Sequence, residues 1–242
     1  MNRAAMLLVA LTGGVAACRS APGQPAAGSE VKAPATIRDF GTLYATNCAG
    51  CHGAGGKGGA AIALNDPVYL AIAGDATIRR VISNGVPGTA MPAFASSAGG
   101  LLTDEQVDAI VQGIRTRWAR PDALQGAVPP PYAAQQPGDP DRGRSVYGTY
   151  CASCHGADGR GGARASSIVD GSYLALVSDQ ALRTIVIVGR PELGAPDWRN
   201  NVPGQAMSNE EVTDVVAWLA AQRTEAPGQP YPAAHPIVGG SQ

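Results

Sequence analysis

Apolar residues recur at helical spacing in two separated stretches. Val107, Ile110, Val111, Ile114 and Trp118 follow the i, i+3, i+4, i+7 pattern, as do Val212, Val215, Val216 and Leu219. Each stripe predicts a helix with one buried face. Each helix opens on a capping box, Thr103 with Gln106 and Ser208 with Glu211. Shorter helices are predicted ahead of them, over 76–84 and 179–188. A further short helix in each half leads into a cysteine motif that a glycine-rich loop follows. No segment alternates apolar and polar residues long enough to make a strand, so the fold class is all-α.

The N-terminal pattern has a different meaning. Met1-Asn2-Arg3 precedes an apolar run from Ala4 to Ala17, followed by Cys18. A charged start and a run too short to span a bilayer core of about 30 Å predict an export signal over 1–17. Val15-Ala16-Ala17-Cys18 resembles the lipobox of bacterial lipoproteins, which makes Cys18 the lipidation candidate and predicts a membrane anchor. Ordinary signal cleavage, with Cys18 removed or left as a free thiol, is the alternative. Residues 18–36, rich in Ala, Pro, Gly and Ser, read as a flexible tether.

Composition narrows the picture. Lys plus Arg total 18 and Asp plus Glu 19, a net charge of −1 that argues against nucleic acid as partner. Only 5% of the 242 residues are aromatic, with two Phe, while Gly numbers 32 and Pro 19. Either much of the chain is loop, or something other than side chains fills the interior. The five cysteines form an odd set, with three histidines beside them.

The chain is one module written twice. Asn47-Cys48-Ala49-Gly50-Cys51-His52-Gly53 matches Tyr150-Cys151-Ala152-Ser153-Cys154-His155-Gly156, and Gly56 to Ala60 match Gly159 to Ala163. Tyr44 faces Tyr147, and after one inserted residue Tyr69-Leu70-Ala71 meets Tyr173-Leu174-Ala175. The expected divisions are a first domain over 37–118, a Pro-rich semi-rigid linker over 119–138, a second domain over 139–223 and a Pro/Gly-rich tail over 224–242. Arg79, Arg80, Arg115 and Arg117 read as solvated helix faces.

Cys48, Cys51 and His52, and again Cys151, Cys154 and His155, fit the C-x-x-C-H pattern of covalent haem c attachment. The spacing suits two thiols adding to the porphyrin vinyl groups, with the next residue placed under the iron. Zinc would leave the histidine after each pair unexplained, and no βαβ pattern supports a thioredoxin-like redox site. Two haems would also account for the shortage of aromatic core residues.

With these motifs the chain resembles dihaem c-type cytochromes built from two class I-like cytochrome c domains. The resemblance implies a helical bundle around each haem, with histidine on one side of the iron and usually methionine on the other. His52 and His155 are the first iron ligands on this reading. Gly85-Val86-Pro87-Gly88-Thr89-Ala90-Met91-Pro92-Ala93-Phe94 matches the distal methionine loop, giving Met91 as sixth ligand of the first iron. The second copy departs from the pattern: in Gly189 to Trp198, Ala195 stands where Met91 stands. Met207 is the candidate replacement, although it aligns with Leu102, where an apolar residue staples onto Val212. Otherwise the second iron is five-coordinate, or takes His235 or an exogenous ligand. His235 itself reads as a solvated tail residue.

The function that follows is single-electron transfer with no catalytic residue, by a lipid-anchored protein at the periplasmic or outer face of a bacterial membrane. Candidate partners are a quinol-oxidising complex, a terminal oxidase or a periplasmic dehydrogenase. Two rivals are a redox enzyme using an open second haem on a small oxidant or sulfur compound, and a structural cytochrome subunit of a larger membrane complex.

Overall fold

The computed structural model describes residues 32–224. The apolar run, Cys18 and His235 lie outside the described residues. A short 3₁₀ turn, Pro34–Thr36, ends one unit at Ile37, and a second unit begins at Arg38.

In the second unit, helix follows helix. Asp39 accepts the Thr42 amide at 2.8 Å and opens α1 (Phe40–Asn47), which runs into α2 (Ala49–His52). Asp66 accepts from the amides of Val68 and Tyr69 and, with Pro67 at the first helical position, starts α3 (Pro67–Ile72). After α4 (Asp75–Asn84), the Thr103–Gln106 box opens α5 (Asp104–Trp118). The order then repeats: α6 (Pro140–Tyr150), α7 (Ala152–His155), α8 (Gly171–Leu176), α9 (Asp179–Val188) and α10 (Asn209–Ala220), with the Ser208–Glu211 box on α10. Among the described residues only isolated β-bridges occur, so the fold is all-α as expected. The repeated helices α3 and α8 are additional to the elements expected from the sequence. At six residues each, they are too short to show a period.

The predicted stripes are the core. Val107 and Ile110 on α5 and Val212 on α10 are fully buried, and Ile114 and Val215 nearly so. Burying each such side chain is worth about 1.5–3 kcal/mol. In each half the first helix crosses the last, α1 on α5 and α6 on α10. Tyr44 meets Trp118 edge-on at 5.1 Å, and Tyr147 meets Trp218 at 4.3 Å.

Arg115 is not a solvated face residue. It donates to the carbonyls of Leu70 and Ala73 at the end of α3 and to Asp75 at the start of α4. Arg223 does the same for Leu174, Val177 and Asp179. Arg79 pairs across to Asp108 of α5 at 2.8 Å.

Candidate functional site

The cysteine motifs sit where two helices join. In each half a cysteine caps the short second helix: Cys48 for α2 and Cys151 for α7, with Cys51 and Cys154 one turn on and His52 and His155 at the helix end. No disulfide joins these four cysteines. Burial, then the neighbouring Cys51, pushes the Cys48 thiol up to about 11; burial and Cys154 do the same to Cys151. That is opposite to the shift that activates a thiol for disulfide exchange. Among the described residues no group of three or more His, Cys, Asp or Glu is arranged to hold a metal ion.

The histidines are oriented alike. His52 Nδ1 lies 2.8 Å from the Ile62 carbonyl, and His155 Nδ1 lies 2.8 Å from the Ser166 carbonyl. A carbonyl only accepts, so Nδ1 carries the proton and Nε2 keeps its lone pair. Burial lowers the pKa of His52, outweighing the Ile62 bond, which keeps the ring neutral. The single inserted residue of the second copy falls between the motif and this carbonyl. The Tyr44 hydroxyl donates to the Gly53 carbonyl at 2.9 Å, and Tyr147 donates to Gly156, tying down the turn after each histidine. Two thiols and a histidine with a fixed tautomer fit the donor set of a covalently held haem.

The loops that follow α4 and α9 share three backbone bonds, with the acceptor on the preceding helix one residue further on in the second half. The Val86 amide donates to the Met91 carbonyl at 3.0 Å, and the Arg190 amide to the Ala195 carbonyl at 2.9 Å. Phe94 donates to Ile82, and Trp198 to Ile187, hanging each loop on the end of its preceding helix. Leu102 donates to Phe94, and Met207 to Trp198. Ala195 therefore occupies the backbone position of Met91, and Met207 that of Leu102. Met91 is half-buried. Met207 is 2% exposed, with Asn201 Nδ2 at 4.0 Å from its sulfur.

The geometry also exposes a relation that a single-offset alignment conceals. Val86-Pro87-Gly88-Thr89-Ala90-Met91 recurs as Val202-Pro203-Gly204-Gln205-Ala206-Met207. Thr89 donates to Val86 at 3.2 Å and Gln205 to Val202 at 3.0 Å. Gly88 and Gly204, at φ 73° and 77°, supply the left-handed residue that a turn of this type requires. Both methionines thus follow the same tight turn by two residues. Aligning hexapeptides instead of whole loops would have found it from sequence.

Comparison with known proteins agrees with the repeat. The family model described as cytochrome c oxidase, cbb3-type, subunit III, matches residues 35–112 and 138–219. The CcoP subunit of the cbb3-type cytochrome c oxidase of Azospirillum sp. (strain B510) is 34% identical over 141 residues, 54% of this chain and 42% of that protein. The cytochrome c subunit of the cytochrome bc1 complex of Mycobacterium tuberculosis (strain ATCC 25618 / H37Rv) is 29% identical over 233 residues, 92% of this chain and 77% of that one. The chain thus spans less than half of the first relative and about three quarters of the second. Among solved structures, a chain of the reducing HAO-like protein complex of Kuenenia stuttgartiensis is 19% identical, with a TM-score of 0.43 over 80% of this chain and 100% of that one. No helix among the described residues is long and apolar enough to cross a membrane. The chain belongs to the c-type cytochrome family of cbb3-type cytochrome c oxidase subunit III.

Proposed function

We propose that this chain is a dihaem electron carrier that passes single electrons between membrane respiratory complexes. The observation that carries the reading is the twinned histidine: His52 and His155 each follow a C-x-x-C pair and each turn Nδ1 onto a backbone carbonyl. When bound, a covalent haem supplies a reversible one-electron couple, and histidine–methionine ligation raises its potential. Cys48 and Cys51 hold the first haem, Cys151 and Cys154 the second. Met91 would hold the iron together with His52 in the first half, and Met207 together with His155 in the second.

The repeated Val-Pro-Gly-x-Ala-Met turn supports Met207, since burial alone suits either a ligand or a staple. The domains are taken as 37–118 and 139–223. Cys18 is taken as the lipid-anchored residue, at the periplasmic or outer face of the membrane. The relatives, a cbb3 oxidase subunit and a bc1 complex subunit by name, favour a quinol-oxidising complex or a terminal oxidase as partner. A periplasmic dehydrogenase as electron donor and the structural-subunit role are compatible with the same haem set.

Ala195 favours a second reading, in which the second iron stays open and acts on a small oxidant or sulfur compound. Haem content by pyridine haemochrome and carbon monoxide binding by the reduced full chain test the pair. Two haems that do not take up carbon monoxide readily support the carrier. A second haem that binds it at once supports the enzyme.

A further inference from the structure

The linker is a strap bound at two places. Its carbonyls at Ala123 and Leu124 accept from Arg199 at 3.4 and 2.9 Å, and those at Pro131 and Tyr132 accept from Arg183 and Gln180. Arg199 is braced by Asp197 and lies over the Trp198 ring. Gln180 and Arg183 are neighbours on α9, so they grip consecutive carbonyls.

Arg183 is the centre of this attachment. It is 2% exposed, and its guanidinium reaches Pro131 O at 2.8 and 3.0 Å, Thr213 Oγ1 at 2.9 Å and Asn209 Oδ1 at 2.5 Å. All three acceptors are neutral. A buried charge without a carboxylate is costly, and it persists here because its planar fork joins three elements at once: the strap, α9 and α10. Beside the strap, α3 of the first half packs against α9 of the second. The Tyr132 hydroxyl is hydrogen-bonded to Thr184 of the second half and lies near the Arg80 charge of the first.

We infer that Arg183 is a positioning residue for electron transfer between the two haem sites: by locking the strap to α9 and α10 it fixes their separation. The inference rests on the two-haem reading above. In the step concerned, one electron passes from a ferrous iron in one half to the ferric iron in the other. The first becomes ferric and the second ferrous, with no proton, bond or outside reactant involved. Transfer through protein falls steeply with distance, so a loosened strap slows it without altering either iron's ligands.

The test uses full-length holoprotein carrying Arg183→Gln, Arg183→Lys, or the pair Gln180→Ala/Arg199→Ala, whose side chains are only half-buried. Intramolecular equilibration is followed after flash reduction, beside haem count, spectra, midpoint potentials and protease cleavage within 119–138. The expected result is two haems, unchanged spectra and potentials, faster cleavage, and equilibration slower by about tenfold. Lysine should not rescue, because it cannot span three acceptors. If Arg183→Gln does not fold, the double variant reads the same quantities. An unchanged rate in a strap that is cleaved faster overturns the inference, as does slowing accompanied by a shifted potential. Fewer than two haems in the unaltered protein overturns the two-haem reading instead, and the haem count reports this before any rate is measured.

Discussion

The Phe40 ring occupies the space above Gly113, where any Cβ would overlap its Cγ and Cδ2. In the second half the arrangement is reversed. Gly143 takes the place of Phe40 on the first helix, and Trp218 takes the place of Gly113 on the last, with its Cβ 2.8 Å from where a Gly143 Cβ would stand. The aromatic and the glycine have exchanged helices while the crossing has kept its closeness.

This exchange predicts different responses to the same change. Gly113→Ala and Gly143→Ala should each destabilise by about 1–3 kcal/mol, read as a fall in Tm. Trimming the obstacle with Phe40→Ala should shrink the Gly113→Ala penalty without abolishing it, because the Phe40 Cβ, 2.7 Å from where a Gly113 Cβ would stand, remains; the pair is non-additive. Gly143 also meets the Asp214 carbonyl, which is backbone, so Trp218→Ala should leave most of its penalty in place.

The arginine clamps show an equivalent shift along a helix. Counted from their capping boxes, Arg223 lies one turn later than Arg115, yet both gather the end of one short helix and the start of the next. Arg223→Ala should cost about 2 kcal/mol, and Arg223→Lys should recover little, because one ammonium cannot serve three separated acceptors. Thermal unfolding of the three proteins at constant pH checks this.

Acid stability should depend on Asp214. Burial pushes its carboxyl up, but hydrogen bonds from Arg142 at 2.7 and 3.1 Å and from the Asp139 amide at 2.7 Å outweigh it and hold the pKa below the ordinary 3.8. A depressed folded pKa means that the stabilisation is full above about pH 4 and is lost as pH falls through the folded value. The Asp214→Asn protein should therefore be less stable at neutral pH and lose less on acidification. Equal acid limbs in the two Tm profiles would refute this.

Much of the architecture is readable from local pattern. The capping boxes, the stripes on α5 and α10, the bounds of α9 and both cysteine motifs depend on residues within a few positions of one another, and all lie where the pattern puts them. Other features depend on distant partners. Arg115 is indistinguishable from a surface arginine until α3 and α4 present their backbone to it, and nothing in a Pro-rich linker reveals that Arg183 and Arg199 will collect its carbonyls. Met207 is an intermediate case. Its turn is written plainly in the sequence, but it lies far from where the repeat offset directs attention.

The ligand assignment predicts two separable losses. Met91→Leu and Met207→Leu should each remove the methionine–ferric iron band of one haem and lower that haem's potential, leaving the other haem unchanged. Redox titration followed at two wavelengths resolves the haems. A Met207→Leu protein with both potentials intact would identify Met207 as a staple on Val212.

On the proposed function, both halves hold histidine–methionine haem for electron transfer. The most direct measurement is the intensity per haem of the methionine–ferric iron band in the oxidised full-length protein, with its spin state. Two low-spin haems and a band of two-haem strength that Met207→Leu halves are expected. A single-haem band beside a high-spin second haem would contradict the proposed function.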